Sequence, residues 1–97
     1  MLEVNNVQGS YLEYKGLPLV REGNELYYGD MKDKYILFMM IMSEAKVEGT
    51  SLTAPNKVMI QVLETADMKN VWRQKVTGSL DEALELGAAW LERANRA

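Results

Sequence analysis

The side chains that could do chemistry in this chain are acidic and phenolic, because the residues most used at neutral pH are missing. The 97 residues contain no histidine and no cysteine. That removes the commonest general base and the commonest transition-metal ligand, and with them disulfides, thiolate nucleophiles and cysteine zinc sites. Carboxylates are left. Asp30 and Asp33, in the string Gly29-Asp30-Met31-Lys32-Asp33, offer oxygen to a hard cation. Two carboxylates interrupted by a lysine nevertheless lack the ligand number and spacing of a calcium loop, and a turn capped by Asp side chains accounts for them better. Glu13, Glu44, Glu48 and Glu64 are acid-base candidates only if a second group stands at a defined distance from one of them. Trp72 with Arg73 and Lys75 is the one aromatic-basic cluster able to stack on a base. Its acidic surroundings favour a partly buried tryptophan on a sheet under a helix instead. No phosphate-binding glycine loop, zinc spacing or nucleophile elbow is present. We therefore expect no catalytic residue, no metal and no cofactor, and the balance leans away from an enzyme.

All five tyrosines, Tyr11, Tyr14, Tyr27, Tyr28 and Tyr35, fall in the one stretch from Tyr11 to Tyr35. Tyrosine joins a large contact area to a hydrogen-bonding tip and is favoured at interfaces, so these five are the candidate interaction residues. The plainer reading is strand packing with hydroxyls reaching water. Met39, Met40, Met42 and Met59 are adaptable enough to line a ligand pocket or a promiscuous surface, although their apolar neighbours favour core filling.

The elements that must position these residues are mostly strands. Gly9, Gly16, Gly23 and Gly29 divide the first third into short pieces, Ser10 to Lys15, Leu17 to Glu22 and Asn24 to Tyr28. Such pieces read as antiparallel strands joined by tight turns, with Gly23-Asn24 the strongest turn signal. Pro18 makes its strand an edge, or marks its start. A long strand is expected from about Lys34 to Ala45, a polar connection around 49–56, a strand over Lys57 to Thr65, and a more exposed one over Val71 to Thr77. In the last, Val71, Arg73 and Lys75 alternate with Trp72, Gln74 and Val76. Residues 1–9 either pair along an edge or fray.

The C-terminal helix is announced by Ser79-x-x-Glu82, a capping box following Gly78. Leu80, Ala83, Leu84, Leu86, Gly87, Ala88, Trp90, Leu91 and Ala94 form one apolar face, and Asp81, Glu85, Glu92, Arg93 and Arg96 the other. Gly87 costs about 1 kcal/mol of helix propensity relative to alanine, which points to a close approach between helix and sheet at that turn.

Tyr35 to Met42 reads Tyr-Ile-Leu-Phe-Met-Met-Ile-Met, an unbroken apolar run whose odd and even side chains both need cover. One helix covers one face. The fold class expected is α+β: an antiparallel meander sheet of five or six strands with the amphipathic C-terminal helix on it, in a single domain over 1–97. The alternative is a small β-barrel closed by the helix, as in pleckstrin-homology-like domains, which would enclose both faces. An open sheet instead needs a homodimer or a protein partner over whichever of two sets, Tyr35, Leu37, Met39 and Ile41 or Ile36, Phe38, Met40 and Met42, turns away from the helix.

Composition fits a modest soluble core, with 47% hydrophobic and 26% charged residues. A net charge of -3 gives no electrostatic reason to expect nucleic acid. No apolar run approaches the roughly 20 residues of a membrane span, and the first ten residues do not resemble a secretory signal, so cytoplasmic residence is the expectation. The strings Tyr14-Lys15-Gly16-Leu17-Pro18-Leu19-Val20-Arg21, Tyr27-Tyr28-Gly29-Asp30-Met31-Lys32-Asp33-Lys34-Tyr35 and Glu85-Leu86-Gly87-Ala88-Ala89-Trp90-Leu91-Glu92-Arg93-Ala94 resemble those of a family of small uncharacterised proteins from anaerobic Gram-positive bacteria. The resemblance covers the chain from about Tyr11 onward and implies a stand-alone cytoplasmic bacterial domain, with no activity or functional residue to carry over. The functional expectation is a non-enzymatic protein-interaction or homo-oligomeric accessory domain. The alternative is a small-molecule sensor with a Met- and Tyr-lined pocket.

Overall fold

A computed structural model describes residues 3–4 and 11–96. The strands are β1 (Glu3–Val4), β2 (Tyr11–Tyr14), β3 (Leu17–Glu22), β4 (Glu25–Tyr28), β5 (Tyr35–Lys46), β6 (Thr53–Glu64) and β7 (Val71–Thr77), followed by helix α1 (Leu80–Arg96). Each strand pairs antiparallel with the next, giving one sheet in chain order from β1 to β7. The architecture is the α+β meander, six full strands with the two-residue β1 on the outer edge. The sheet does not close, so the barrel alternative is not formed. Most of residues 1–9 lies outside the described residues.

Turn chemistry sets the first hairpins. Lys15 and Gly16 both have positive φ, 51° and 83°, the backbone that a two-residue hairpin needs to match strand twist. Pro18 is the second residue of β3, an interior strand, and its carbonyl accepts the Gly29 N–H at 3.0 Å. The strand thus begins beside the proline and is not an edge.

β6 starts at Thr53, four residues earlier than the sequence indicates, because Thr53, Ala54 and Pro55 pair with Lys46, Ala45 and Glu44. β7 reaches only to Val58, so this part of β6 has one neighbour and a residue without an N–H costs the ladder little. The β5–β6 hairpin therefore extends beyond the sheet as an exposed arm.

A second departure lies in β7. Gln74 and Val76 face the same side as Gln61 and Met59, as alternation demands, but the register slips so that Val71 pairs with Leu63. Trp72 is the extra residue of a bulge. The bulge moves Val71 onto the Gln74 side and leaves Trp72 near Tyr35, ring centroids 6.1 Å apart.

The helix closes one face only. The Ser79 hydroxyl accepts the Glu82 N–H at 3.1 Å, and the Glu82 carboxylate accepts the Gly78 N–H at 3.2 Å, a capping box that reaches one residue further back than the usual one. Asp81 and Glu82 occupy the first turn, Arg93 and Arg96 the last, complementing the helix dipole. Ala83, Leu84, Gly87, Ala88, Leu91 and Ala94 are buried against Leu37, Met39 and Ile41 of β5, Val58, Ile60 and Val62 of β6, and Leu26 and Tyr28 of β4. The set Tyr35, Leu37, Met39 and Ile41 is thus the one that meets the helix. A β-carbon placed on Gly87 would lie 2.6 Å from Leu37 Cδ2, which is the close approach expected at that turn. At the far end, the Asn95 amide accepts the Tyr35 N–H at 2.9 Å and donates to its carbonyl at 3.3 Å. The helix thereby supplies the neighbour that β5 lacks at that residue on the side of β4, whose pairing ends at Leu37. Among the described residues, no helix is long and apolar enough to cross a membrane.

Candidate functional site

Cross-strand partners share a face, so the register draws the helix-free face directly. Its central row runs Val20, Tyr27, Phe38, Gln61 and Gln74 across β3 to β7; a second runs Glu22, Glu25, Met40, Met59 and Val76. A third holds Ile36, Leu63 and Val71. Apolar side chains dominate all three rows. Val20 is 41% exposed and Val76 49% exposed, while Phe38, Met40 and Met59 are half-buried by one another.

The third row is deeper. Ile36 is buried because the loops after β4 and β6 lean over it, and Met31 and Met68 from those loops join Pro18, Val20, Tyr27 and Ile36 around a cavity of about 510 Å³. Asp30 is the one charged residue of its lining. Asp30 and Asp33 otherwise build the turn: the Asp30 carboxylate accepts the Lys32 N–H at 2.9 Å, and its carbonyl accepts the Asp33 N–H at 2.9 Å.

Two side-chain hydrogen bonds lie within this face. Gln61 Nε2 donates to Gln74 Oε1 at 2.8 Å. The Tyr27 hydroxyl donates to the Glu25 carboxylate at 3.4 Å, and its ring lies 5.2 Å from that of Phe38. Burial, then the negative charge of Glu25 and Glu22, holds the Tyr27 phenol protonated above its ordinary range. Glu22 and Glu25 are themselves directly opposed across the β3–β4 hairpin, a like-charge arrangement that works against the sheet. No ion pair to either is found among the described residues.

The tyrosines divide between the faces. Tyr28 is 2% exposed, donates its hydroxyl to the Tyr14 carbonyl at 2.7 Å and meets the Tyr14 ring edge-on at 5.6 Å. Tyr14 and Tyr35 pack beside the core on the helix side. Tyr27 alone of these four lies on the helix-free face. Tyr11 is in backbone register with Val20, and its side chain is outside the described residues.

The methionines divide likewise. Met39 is fully buried under the helix, Met40 and Met59 are half-buried on the other face, and Met42 is 51% exposed at the base of the arm. Trp72 lies at the edge of the sheet, where the Arg73 guanidinium stands 4.9 Å from its ring centroid and 5.2 Å from that of Trp90. Asn95 and the loop residues Met31 and Met68 escaped the reading of the sequence. Asn95 does carry a signal, since it stands four residues after Leu91 at the end of the apolar stripe.

Chemically, the face can exclude water and dock an apolar surface. Among the described residues there is no cluster of three or more acidic side chains able to hold a metal ion. Comparisons with family models, with curated proteins and with solved structures give no match.

Proposed function

We propose that this chain is a non-enzymatic protein-interaction domain whose docking surface is the helix-free face of its sheet. The observation that carries the reading is the apolar patch of Val20, Phe38, Met40, Met59 and Val76, which no element covers among the described residues. Monomeric proteins rarely expose a contiguous apolar patch larger than a few hundred Å² unless it has a use. The test is a photoreactive benzoylphenylalanine in place of Phe38, with Ala89 on the exposed side of the helix as the control position. Adducts form at position 38, not at 89, and disappear when Met59→Lys is added. Equal adducts at both positions, or none at 38, overturn the reading.

The cavity beside Ile36 favours a second reading, a small-molecule sensor, because its volume of about 510 Å³ falls in the roughly 300–1,000 Å³ range of ligand sites. Its lining is apolar and includes Tyr27 and two loop methionines. A screen of small apolar ligands that raises the melting temperature of the wild type and not of Ile36→Lys would support the sensor over the docking surface.

A further inference from the structure

We infer that the occupant of this face is a second copy of the same chain, the two sheets stacked face to face about a two-fold axis that runs along β5. The inference rests on the docking-surface reading and names its partner. Area supports it first. Five strands at ~4.8 Å spacing, from four residues in β4 to about seven in β5, β6 and β7 at ~3.4 Å rise, outline roughly 500 Å² in projection. Side-chain relief brings that toward the ~800 Å² per partner of a standard interface, enough for a weak and reversible dimer.

Charge supports it second, and also selects the axis. An axis along β5 sets β4 against β6 and β3 against β7 of the second copy, with equal rows opposed. Glu25 then faces Met59 of the second copy, and Lys57, exposed and two residues before Met59 on the same face of β6, comes next to the opposed Glu22 and Glu25 pair. The repulsion within the β3–β4 hairpin is relieved by a cation that the chain itself places elsewhere. An axis across the strands would instead bring Glu22 and Glu25 toward Asp30 of the second copy, adding like charge to like charge. The same along-strand axis sets β7 over β3, so that Val71, 44% exposed, stands over the cavity edged by Pro18. The register slip that turned Val71 onto this face thereby gains a purpose. Aligned sheets of this kind stack about 10 Å apart with their strands within about 30°.

The experiment is sedimentation velocity on the whole chain between about 1 and 100 µM, the range of weak standard-size interfaces, with far-ultraviolet circular dichroism and a urea midpoint to show that each variant stays folded. The wild type dimerises and Met59→Lys is a folded monomer. Lys57→Glu weakens the dimer by about tenfold, as loss and reversal of a close interfacial charge pair does, and Glu25→Lys in the Lys57→Glu background restores it. A wild type that stays monomeric overturns the inference, as does a dimer indifferent to Met59→Lys or to Lys57→Glu. Photo-adducts at position 38 distinguish the two failures: a monomer that still cross-links to a different protein there keeps the docking surface and loses the second copy. A monomer that cross-links to nothing loses both.

Discussion

Gly87→Ala sets two effects of similar size against each other. Alanine in place of glycine inside a helix gains about 1 kcal/mol of propensity, so at an exposed position the substitution would stabilise. At Gly87 the new β-carbon would lie 2.6 Å and 2.9 Å from the two methyl carbons of Leu37 and 3.3 Å from Leu37 Cγ, against the ~3.5–4.0 Å at which carbon atoms attract. Leu37 cannot swing away, because it is 0% exposed and sits in the centre of β5 with Val62 and Tyr28 as cross-strand partners. Overpacking of this kind costs about 1–3 kcal/mol. The expected sum is a destabilisation of roughly 1 kcal/mol, in spite of the better helix former.

Urea denaturation of four proteins decides it: wild type, Gly87→Ala, Leu37→Val and the double variant. Removing a methylene from Leu37 makes room for the alanine, so the double variant should be more stable than the sum of the single changes by about 0.5–2 kcal/mol, a coupling in the range found for touching residues. Gly87→Leu should lose more than Gly87→Ala, while Ala89→Leu on the exposed side stays within about 0.5 kcal/mol of wild type. If Gly87→Ala is more stable than wild type by the full propensity gain and additive with Leu37→Val, the close approach of helix to sheet at this turn is refuted.

Burial, followed by the charges of Tyr14 and Glu92, pushes the Tyr28 phenol up to about 12, above the ~10 of an unfolded tyrosine. The folded state holds this proton more tightly, so the contribution is intact below pH ~10 and is lost as pH rises toward ~12, at up to about 1.4 kcal/mol per pH unit. Tyr28→Phe should flatten that part of the stability-pH curve relative to wild type and cost about 1 kcal/mol at neutral pH for the hydrogen bond to the Tyr14 carbonyl. An unchanged slope contradicts it. Asn95→Ala should cost about 1–3 kcal/mol, because both backbone groups of Tyr35 lose their partner. Hydrogen exchange at the Tyr35 amide should accelerate more than at Leu37, and equal protection in wild type and variant would show that helix and strand are not tied there.

The helix was legible almost residue by residue, since cap, dipole charges and apolar stripe all lie within one continuous segment and depend on no distant partner. Strand existence was legible for the same reason, but strand faces were not. A period of two offers two sets on β5 and cannot choose between them until pairing with Val58, Ile60 and Val62 is known. The tyrosines show the limit most plainly. Tyr27 and Tyr28 are adjacent in a strand and so must point to opposite faces; closeness in sequence counted against a single tyrosine surface. The bulge at Trp72 has no local signature, and it reverses the face of Val71. The early start of β6 was hidden because Thr53 to Asn56 looks like loop, yet pairing on one side only is enough to hold it extended.

The two faces of β5 also differ in how they treat polar groups, and that difference bears on function. Under the helix Leu37, Met39 and Ile41 are met by Val62, Ile60 and Val58 on one side and by Tyr28 and Leu26 on the other, so a charged substitution there would be stranded without a partner and would unfold the chain. On the other face Gln61 and Gln74 sit in the middle row with their amides bonded to each other. Such a pair tolerates both water and burial, because each side chain keeps at least one partner when solvent leaves. A surface meant to stay wet has no use for Phe38 beside it, and a surface meant to be permanently dry gains little from two glutamines. On the proposed docking role, a face that alternates between the two states uses both kinds of residue, so that proposal is one of an association that forms and dissociates and not of an obligate one.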